Sequence, residues 1–390
     1  MRIWICAGEA SGDILGGRIM AALRRAAPGG VAFAGVGGER MAEQGLQSLF
    51  PMRELALMGL LEVLPNLRRL ARRMDQAEAN ILDRRPDVLL TIDAPSFTLR
   101  LAERVRPRGV RVVHYVAPQV WAWRPGRVRK LRDRVDRILA LLPFEPAFFE
   151  AAGIPVTFVG HPVLESGADA GDAARFRAAH RLGPEARPVI VMPGSRRTEV
   201  RRLLPVFGEA LALAAREMPG LRPVVAVGAL VREAVEEAAR GWPAAPILVT
   251  DTAQKHDAFA AVAASGGAGL IKSGTSSLEM AVAGIPHVVG YRVNPVTAAI
   301  VRRLIKVPHA SLVNLLAGRE VVPERLQEAC TPEALAAALL RPMRAPEEAA
   351  AQRVGFAEAL ERLRPPGGLR PSEAAARAVL EVAGVHPSPP

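Results

Sequence analysis

The chain has 390 residues, of which half are hydrophobic and 23% are charged, and its formal net charge is +12. This length exceeds what one hydrophobic core usually supports, so we expect two domains, and the composition excludes a largely disordered protein. The basic charge, which comes almost entirely from arginine, is compatible with a solvated surface, nucleic acid, anionic lipid or a phosphorylated substrate.

The N-terminus and the cysteines indicate the cellular compartment. The apolar run at residues 1–7 leads directly into Gly8 and Glu9, without a long apolar segment or a cleavage site, and is predicted to be a strand and not a signal peptide. No stretch approaches the ~18 consecutive apolar residues of a spanning helix, so we do not expect the chain to cross a membrane. Cys6 and Cys330 form neither a disulfide framework nor a zinc-binding spacing. We therefore predict a reducing, cytoplasmic location.

Short apolar runs alternate with amphipathic helical patterns in both halves of the chain. Strands are predicted over residues 3–7, 88–92, 110–115, 189–192, 224–227 and 269–271. Helices are predicted over residues 14–27, 97–105, 199–218, 231–240 and 278–283. This alternation is typical of α/β domains in which helices cover both faces of a parallel sheet. Two such domains facing a cleft would bind ligands at the carboxyl ends of their strands.

A change of pattern around residues 165–185 predicts the domain boundary. The first domain is predicted over residues 1–165 and the second over residues 185–345. The segment 364–384, a Pro-rich stretch followed by a helix, is expected to join the first domain. Residues 386–390 are expected to be disordered.

The first predicted strand ends in Ala7-Gly-Glu-Ala-Ser-Gly-Asp13, and a helix follows at once. Glycines permit a tight turn there, and the N–H groups of a helix start can face an anion. The segment matches neither the dinucleotide fingerprint nor the P-loop. The alternative is an ordinary turn in which Ser11 or Asp13 caps the helix.

Asp93 follows the predicted strand 88–92, at the sheet edge where a ligand is expected. A carboxylate at that position, with Pro95 fixing the next turn, suits a general base that takes a proton from an alcohol. A helix-capping or turn aspartate is the alternative.

Two loops of the second half are typical of phosphate binding. In Pro193-Gly-Ser-Arg-Arg-Thr-Glu199, Gly194 and Ser195 offer donors, and Arg196 or Arg197 offers positive charge. In Ser273-Gly-Thr-Ser-Ser-Leu-Glu279, hydroxyl residues open a helix and can hold a diphosphate, while Glu279 can bind ribose hydroxyls. The same spacing matches a capping box, which is compatible with a nucleotide site.

Metal-binding patterns are missing from the sequence. No Asp-x-Asp pair occurs, and no His/Cys cluster has metal-ligand spacing. We therefore predict neither a metal nor another cofactor. The histidines are scattered, and each is expected to be structural or to lie on the surface.

The stretch from Glu54 to Leu70 combines a dense apolar run with arginines. This stretch is expected to be either part of the buried core or a surface helix that inserts shallowly among anionic lipids. The predicted membrane contacts are Leu57, Met58, Leu60, Leu61, Leu64, Arg68 and Arg69. Residues 124–137, with seven basic residues, form a second basic patch.

Ten blocks occur in order between Gly8 and Glu320 and resemble the lipid-A-disaccharide synthase family, and the resemblance covers about residues 2–340. They are Gly8-Glu-Ala-Ser-Gly-Asp13, Met58-Gly59 with Glu62-Val63, Ile92-Asp-Ala-Pro95, Val120-Trp-Ala-Trp-Arg124, Leu142-Pro-Phe-Glu145, Gly160-His-Pro162, Pro193-Gly-Ser-Arg196, Ser273-Gly-Thr275, Gly290-Tyr-Arg292 and Asn314-Leu-Leu-Ala-Gly-Arg-Glu320. Ten ordered blocks are far more specific than any one of them.

The resemblance implies a GT-B fold of two Rossmann-like domains, the second of which mainly holds the nucleotide. It implies an inverting, metal-independent transfer of 2,3-diacylglucosamine from UDP-2,3-diacylglucosamine to the 6-hydroxyl of 2,3-diacylglucosamine 1-phosphate, with release of UDP. The family acts at the inner face of the cytoplasmic membrane in lipid A biosynthesis. Homodimers with exchanged C-terminal segments occur in it.

The resemblance also implies roles for particular residues. Asp93 would be the general base, with Glu9 and Ser11 on the acceptor side. Arg196 would neutralise the diphosphate leaving group. UDP would be bound by Ser273, Gly274, Thr275, Ser276, Glu279, Asn314 and Arg319. The chain departs from the common family pattern at Ser96, Thr98 and Lys272.

Two alternatives stay open at this point. Another UDP-sugar enzyme of the same fold, such as an epimerase or a peptidoglycan glycosyltransferase, would share the nucleotide pocket. A basic nucleic-acid-binding protein would share the charge, but aromatic residues make up only 4% of the chain and no recognition motif occurs, so nucleic acid is not expected.

Overall fold

The computed structural model describes residues 1–55, 60–118, 128–228, 231–242, 245–294 and 308–386. Its contacts divide the chain into two compact units. Unit 1 comprises Met1–Pro162 and Leu363–Pro390, and unit 2 comprises Val163–Arg362. Among the described residues, no helix is both long enough and apolar enough to span a membrane.

Unit 1 is built on a six-stranded sheet of parallel strands. The strands are β1 (Arg2–Ala7), β2 (Ala32–Val36), β3 (Val88–Ile92), β4 (Val112–Tyr115), β5 (Arg137–Ala140) and β6 (Val156–Phe158). The helices are α1 (Ala10–Ala26), α2 (Glu39–Ala42), α3 (Leu60–Arg84), α4 (Pro95–Val105), α5 (Arg129–Arg132) and α6 (Glu145–Glu150). The strand order β2-β1-β3-β4-β5-β6 reverses direction between β1 and β3, which makes that point the topological switch of the sheet.

Unit 2 has a second six-stranded parallel sheet. Its strands are β7 (Arg187–Met192), β8 (Leu221–Ala226), β9 (Ile247–Val249), β10 (Gly269–Lys272), β11 (His287–Tyr291) and β12 (Glu324–Leu326). Its helices are α7 (Ala173–Ala179), α8 (Arg197–Glu217), α9 (Arg232–Ala239), α10 (Thr252–Ala264), α11 (Ser276–Val282), α12 (Leu312–Ala317), α13 (Pro332–Arg344) and α14 (Pro346–Glu361). The order β12-β11-β10-β7-β8-β9 reverses between β7 and β10.

The two parallel sheets confirm the predicted α/β class. Central strands such as β3, whose five residues are all buried, read as continuous apolar runs because helices cover both of their faces. The remaining helix, α15 (Pro371–Ala383), belongs to unit 1. Its Val379 and Leu380 share one hydrophobic cluster with Ile19 and Leu23 of α1. Of the C-terminal residues expected to be disordered, 387–390 lie outside the described residues.

The predicted start of α1 was wrong, and neither Ser11 nor Asp13 caps this helix. The helix begins at Ala10, and no side chain caps it. Asp13 lies inside α1, and its buried carboxylate accepts hydrogen bonds from the N–H groups of Gly38, Arg40 and Met41 at 2.8, 2.9 and 3.1 Å. Asp13 therefore fixes the N-terminus of α2 against α1 and does not cap its own helix.

Candidate active site

The carboxyl ends of β1 and β3 bring two predicted segments together at the switch point of unit 1. Ala7 of β1 pairs with Ile92 of β3, so the loops that follow lie side by side. A Cβ atom on Gly8 would lie 2.6 Å from the Cβ atom of Ala94, so the close approach of the loops requires glycine. Glu9 in the first loop is half-buried, Ser11 in the first turn of α1 is exposed, and Asp93 opens the second loop. We call these two loops the β1/β3 edge.

Asp93 sits in a constrained turn. Asp93 and Ala94 both adopt positive φ angles, of 47° and 46°, which are unfavourable for residues other than glycine. The buried hydroxyl of Thr98 donates hydrogen bonds to the carbonyl oxygens of Asp93, at 2.7 Å, and of Ala94, at 3.0 Å. Burial raises the pKa of the Asp93 carboxyl, and a hydrogen bond from the Ala94 backbone opposes that rise. A carboxylate with a raised pKa is a stronger base, so the turn holds an aspartate suited to proton abstraction.

Unit 2 contains a cavity of about 400 Å³ at the carboxyl ends of β7–β10. Six residues from the two predicted phosphate-binding loops line it, namely Gly194, Ser195, Ser273, Gly274, Thr275 and Ser276. Because β7 and β10 are neighbours at the switch point, their loops meet at one edge although about 80 residues separate them. We call this space the unit 2 cavity.

Glycine is required at two positions of the unit 2 cavity. Gly194 has a φ angle of +115° and Gly274 one of +145°. A Cβ atom on Gly194 would also lie 2.7 Å from Oε2 of Glu199. The Ser273 hydroxyl donates a hydrogen bond to the Ala310 carbonyl oxygen at 2.7 Å. The backbone of both loops therefore lies close to the space that a ligand would fill.

Two lysines line the unit 2 cavity, and each is paired with a glutamate. Lys255 Nζ lies 3.0 and 3.1 Å from the two carboxylate oxygens of Glu279. Lys272 Nζ lies 3.2 Å from Oε1 of Glu199. Lys255 was not among the predicted site residues, and Lys272 was predicted only as a departure from the family pattern. The sequence contains only four lysines, but the position of two of them in one cavity depends on the fold.

Four predicted nucleotide-binding residues are not among the described residues that line the unit 2 cavity: Arg196, Glu279, Asn314 and Arg319. Arg196 is exposed and lies 3.7 Å from Oε1 of Glu199, close to the cavity. Arg319, also exposed, pairs with Glu358.

Asn314 is fully buried beneath the cavity wall and not in it. Its amide donates to Glu324 Oε1 at 2.8 Å, and the Glu324 carboxylate accepts from the N–H groups of Ala310 and Ser311 at 2.9 and 2.8 Å. Since Ala310 in turn accepts from Ser273, Asn314 is connected to the cavity through hydrogen bonds.

Buried histidines take structural positions. Burial lowers the pKa values of His114, His161 and His287 to about 4, so these rings are neutral at pH 7. The His287 ring hydrogen-bonds to the Ser277 hydroxyl at 2.8 Å and to the Ile285 carbonyl oxygen at 3.1 Å. Within the described parts of the chain, no cluster of three or more His, Cys, Asp or Glu side chains could hold a metal ion.

The predicted membrane segment begins beside the β1/β3 edge. Leu55 is buried, and its Cβ lies 3.7 Å from the position that a Cβ on Gly8 would take. Leu57 and Met58 lie outside the described residues, as do the side chains of Leu60, Leu61 and Leu64 at the start of α3. Farther along α3, Arg68 and Arg69 are exposed. Residues 124–127 of the second basic patch also lie outside the described residues.

Comparison with known proteins gives a consistent result over the whole chain. A family model described as "Lipid-A-disaccharide synthetase" matches residues 3–378. The lipid-A-disaccharide synthase of Rhodospirillum centenum is 52% identical over 382 residues, which is 97% of this chain and 94% of that protein. The synthase of Gluconobacter oxydans is 51% identical over 380 residues, or 97% and 90% of the two chains.

A solved structure with a similar fold is UDP-GlcNAc 2-epimerase from Neisseria meningitidis bound to UDP-GlcNAc. It has a TM-score of 0.64 and 11% sequence identity, and the match covers 98% of this chain and 99% of the epimerase. At that identity the likeness concerns the fold alone, and the fold is of the GT-B type.

Proposed function

Because this chain belongs to the lipid-A-disaccharide synthase family, which makes it a glycosyltransferase of lipid A biosynthesis, we propose that its substrates are those of the family reaction. The donor is UDP-2,3-diacylglucosamine, and the acceptor is the 6-hydroxyl of 2,3-diacylglucosamine 1-phosphate. The products are UDP and a β-1,6-linked disaccharide 1-phosphate. The observation that carries this proposal is the unit 2 cavity, in which two glycine- and hydroxyl-containing loops and two ammonium groups converge.

The unit 2 cavity is proposed to hold the UDP part of the donor. Because Gly194 and Gly274 have no side chain, the diphosphate can approach the backbone at these positions directly. The hydroxyl residues of the 273–276 loop add hydrogen-bond donors. Arg196, next to the cavity, is proposed to neutralise charge that develops on the leaving diphosphate. Glu279, aligned by Lys255, is proposed to accept hydrogen bonds from the ribose hydroxyls. Asn314 is proposed to stabilise this pocket indirectly, through its hydrogen bond to Glu324.

Asp93 is proposed to be the general base. Its carboxylate takes the proton of the acceptor 6-hydroxyl while that oxygen attacks the anomeric carbon of the donor sugar. The bond from the anomeric carbon to the diphosphate breaks, UDP leaves from the opposite face, and the configuration inverts. Glu9 and Ser11, which lie beside Asp93 at the β1/β3 edge, are proposed to bind the acceptor.

Docking to an anionic membrane is proposed to bring the acylated substrates to the β1/β3 edge. The apolar stretch from Leu57 to Leu64 starts two residues after Leu55, which packs against that edge. Exposed Arg68 and Arg69 follow on α3 and suit anionic headgroups. The protein would then act as a peripheral protein at the inner face of the cytoplasmic membrane.

A homodimer with exchanged C-terminal segments is a further part of the proposal. In this structure α15 packs on α1 of the same chain. Exchange would form the same contacts between two copies, at little cost in packing. Light scattering on the purified protein measures the mass that distinguishes one chain from two.

A transfer assay tests the proposal. Purified protein is incubated with both acylated substrates and a chelator, and UDP and disaccharide are measured. Asp93→Asn is expected to lower turnover by about 100-fold or more, the usual contribution of a general base. UDP affinity should stay within twofold, because Asp93 belongs to unit 1 and the UDP cavity to unit 2. Asp83→Asn, at an exposed position, is the matched control.

Each result has a definite meaning. Full turnover by Asp93→Asn removes Asp93 from the base role. Binding of the UDP-sugar without disaccharide formation assigns a different acceptor, and no binding of the UDP-sugar refutes the donor assignment.

A further inference from the structure

Lys272 occupies a central position in the unit 2 cavity that the proposed mechanism leaves without a role. It is the last residue of β10, at the switch point where the β7 and β10 loops meet. Its side chain is 23% exposed, so the stem is largely buried while the side chain lines the cavity. In a chain whose basic residues are nearly all arginine, a lysine at this point is unusual.

Two glycines leave room for the Lys272 side chain. A Cβ atom on Gly194 would lie 3.5 Å from Lys272 Cδ, and one on Gly274 would lie 3.7 Å from Lys272 Nζ. The stem therefore passes the β7 loop, and the ammonium group lies beside the β10 loop. This places one positive charge between both loops that the sequence marks as phosphate-binding.

Glu199 explains why a cation is needed there. Its side chain is only 11% exposed, and Oε2 is buried with no hydrogen-bond partner in the described structure. An ionised carboxylate beside the cavity would repel a diphosphate unless it were neutralised. Glu199 Oε1 forms an ion pair with the Lys272 ammonium group at 3.2 Å. A lysine ammonium group carries three N–H donors. Because Lys272 lines the cavity, these donors can also reach the oxygens of a bound anion.

We propose that Lys272 is a further diphosphate-binding residue, which neutralises Glu199 and donates hydrogen bonds to the same diphosphate that Arg196 faces. This inference rests on the proposed function, because it takes UDP as the occupant of the unit 2 cavity. A lysine suits the task since its ammonium group acts as a compact point charge that can bridge a carboxylate and a phosphate.

Binding of UDP and of uridine, measured by calorimetry and competition, tests the proposal. Lys272→Met is expected to weaken UDP binding by about 10- to 100-fold, the usual range for one charge-assisted hydrogen bond. Uridine binding should change less than twofold, because uridine has no phosphate. Lys272→Arg should retain most of the UDP affinity. Lys130→Met, which removes an exposed lysine from unit 1, is the matched control and should leave both affinities unchanged.

A double variant separates direct binding from mere neutralisation. If Lys272 only cancels the charge of Glu199, then Glu199→Gln combined with Lys272→Met should restore wild-type UDP affinity, and the proposal is overturned. Under direct binding, the double variant stays at least tenfold weaker for UDP. Equal losses of UDP and uridine in Lys272→Met would show a general disturbance of the cavity and would also overturn it.

The same measurements distinguish this inference from the proposed function. Wild-type protein that does not bind UDP refutes both. Wild-type protein that binds UDP, together with a Lys272→Met variant that binds it equally well, refutes only the role of Lys272.

Discussion

Replacing Asn314 by aspartate is expected to destabilise unit 2 strongly. The Asn314 amide donates to the Val322 carbonyl oxygen at 2.9 Å and to Glu324 Oε1 at 2.8 Å. Its oxygen accepts from the N–H groups of Val321 and Val322 at 2.8 and 2.9 Å. All of these groups lie around a side chain with no exposed surface. Asn314 therefore connects α12 to the segment that leads into β12.

The size of the effect follows from the two donors that aspartate lacks. The substitution leaves the Val322 carbonyl without its side-chain donor and places a second carboxylate against Glu324. Each buried group left unpaired costs about 1–3 kcal/mol, so a total of about 4 kcal/mol is expected. For a unit of roughly 200 residues, this loss lowers Tm by about 10 °C.

Thermal unfolding followed by circular dichroism measures the change in Tm, and UDP affinity is measured well below the transition. UDP binding should weaken as well, because Glu324 and Ala310 link Asn314 to Ser273 at the cavity. Arg344→Ala is the control, since its exposed ion pair with Glu217 contributes about 0–1 kcal/mol. An unchanged Tm with lost UDP affinity would contradict this reasoning and would place Asn314 in direct contact with the nucleotide.

Three further predictions concern unit 1. Burial raises the pKa of Asp93 in the free protein, so kcat/KM should begin to fall, as the pH is lowered, at a pH above the ordinary titration range of an aspartate. A kcat/KM profile that falls only within that ordinary range would contradict the base role. Thr98→Val should lower kcat by about tenfold, because the strained turn at Asp93 and Ala94 loses its hydroxyl donor. Thr98→Ser keeps the hydroxyl and should preserve kcat. Equal kcat values for the two variants would show that the hydroxyl is dispensable. Arg68→Glu with Arg69→Glu should weaken binding to vesicles that contain anionic lipid by at least tenfold, without an effect on UDP binding, and undiminished vesicle binding would exclude α3 from the docking surface.

Much of the fold could be predicted from the sequence because its strands are buried on both faces. The apolar run at 88–92 coincides with β3, since every residue of that strand is buried. Helix ends were less predictable. The start of α1 depends on where the Asp13 carboxylate finds its partners, and those N–H groups lie more than 20 residues downstream. Such a partner cannot be inferred from local pattern.

The candidate site, too, could be predicted from the sequence only in part. The loops after β7 and β10 could be recognised locally, because glycine and hydroxyl residues follow apolar strands there, and the structure places both at one cavity. The position of Lys255 in the site could not be inferred from the residues next to it in sequence, since its pairing with Glu279 depends on how α10 and α11 pack. Asn314 shows the opposite problem. A buried asparagine that braces backbone and one that binds a ligand have the same sequence signature.

The discontinuity of unit 1 determines the order in which the chain can fold on the ribosome. Unit 2 is a continuous stretch of roughly 200 residues and can fold as soon as it is synthesised. Unit 1 cannot be completed until α15 emerges, because Val379 and Leu380 cover the apolar face of α1. At ~5–20 residues per second, translation of the intervening unit takes about 10–40 s. During that time Ile19 and Leu23 lack the part of their apolar cover that Val379 and Leu380 supply, so unit 1 stays incomplete until synthesis is almost finished.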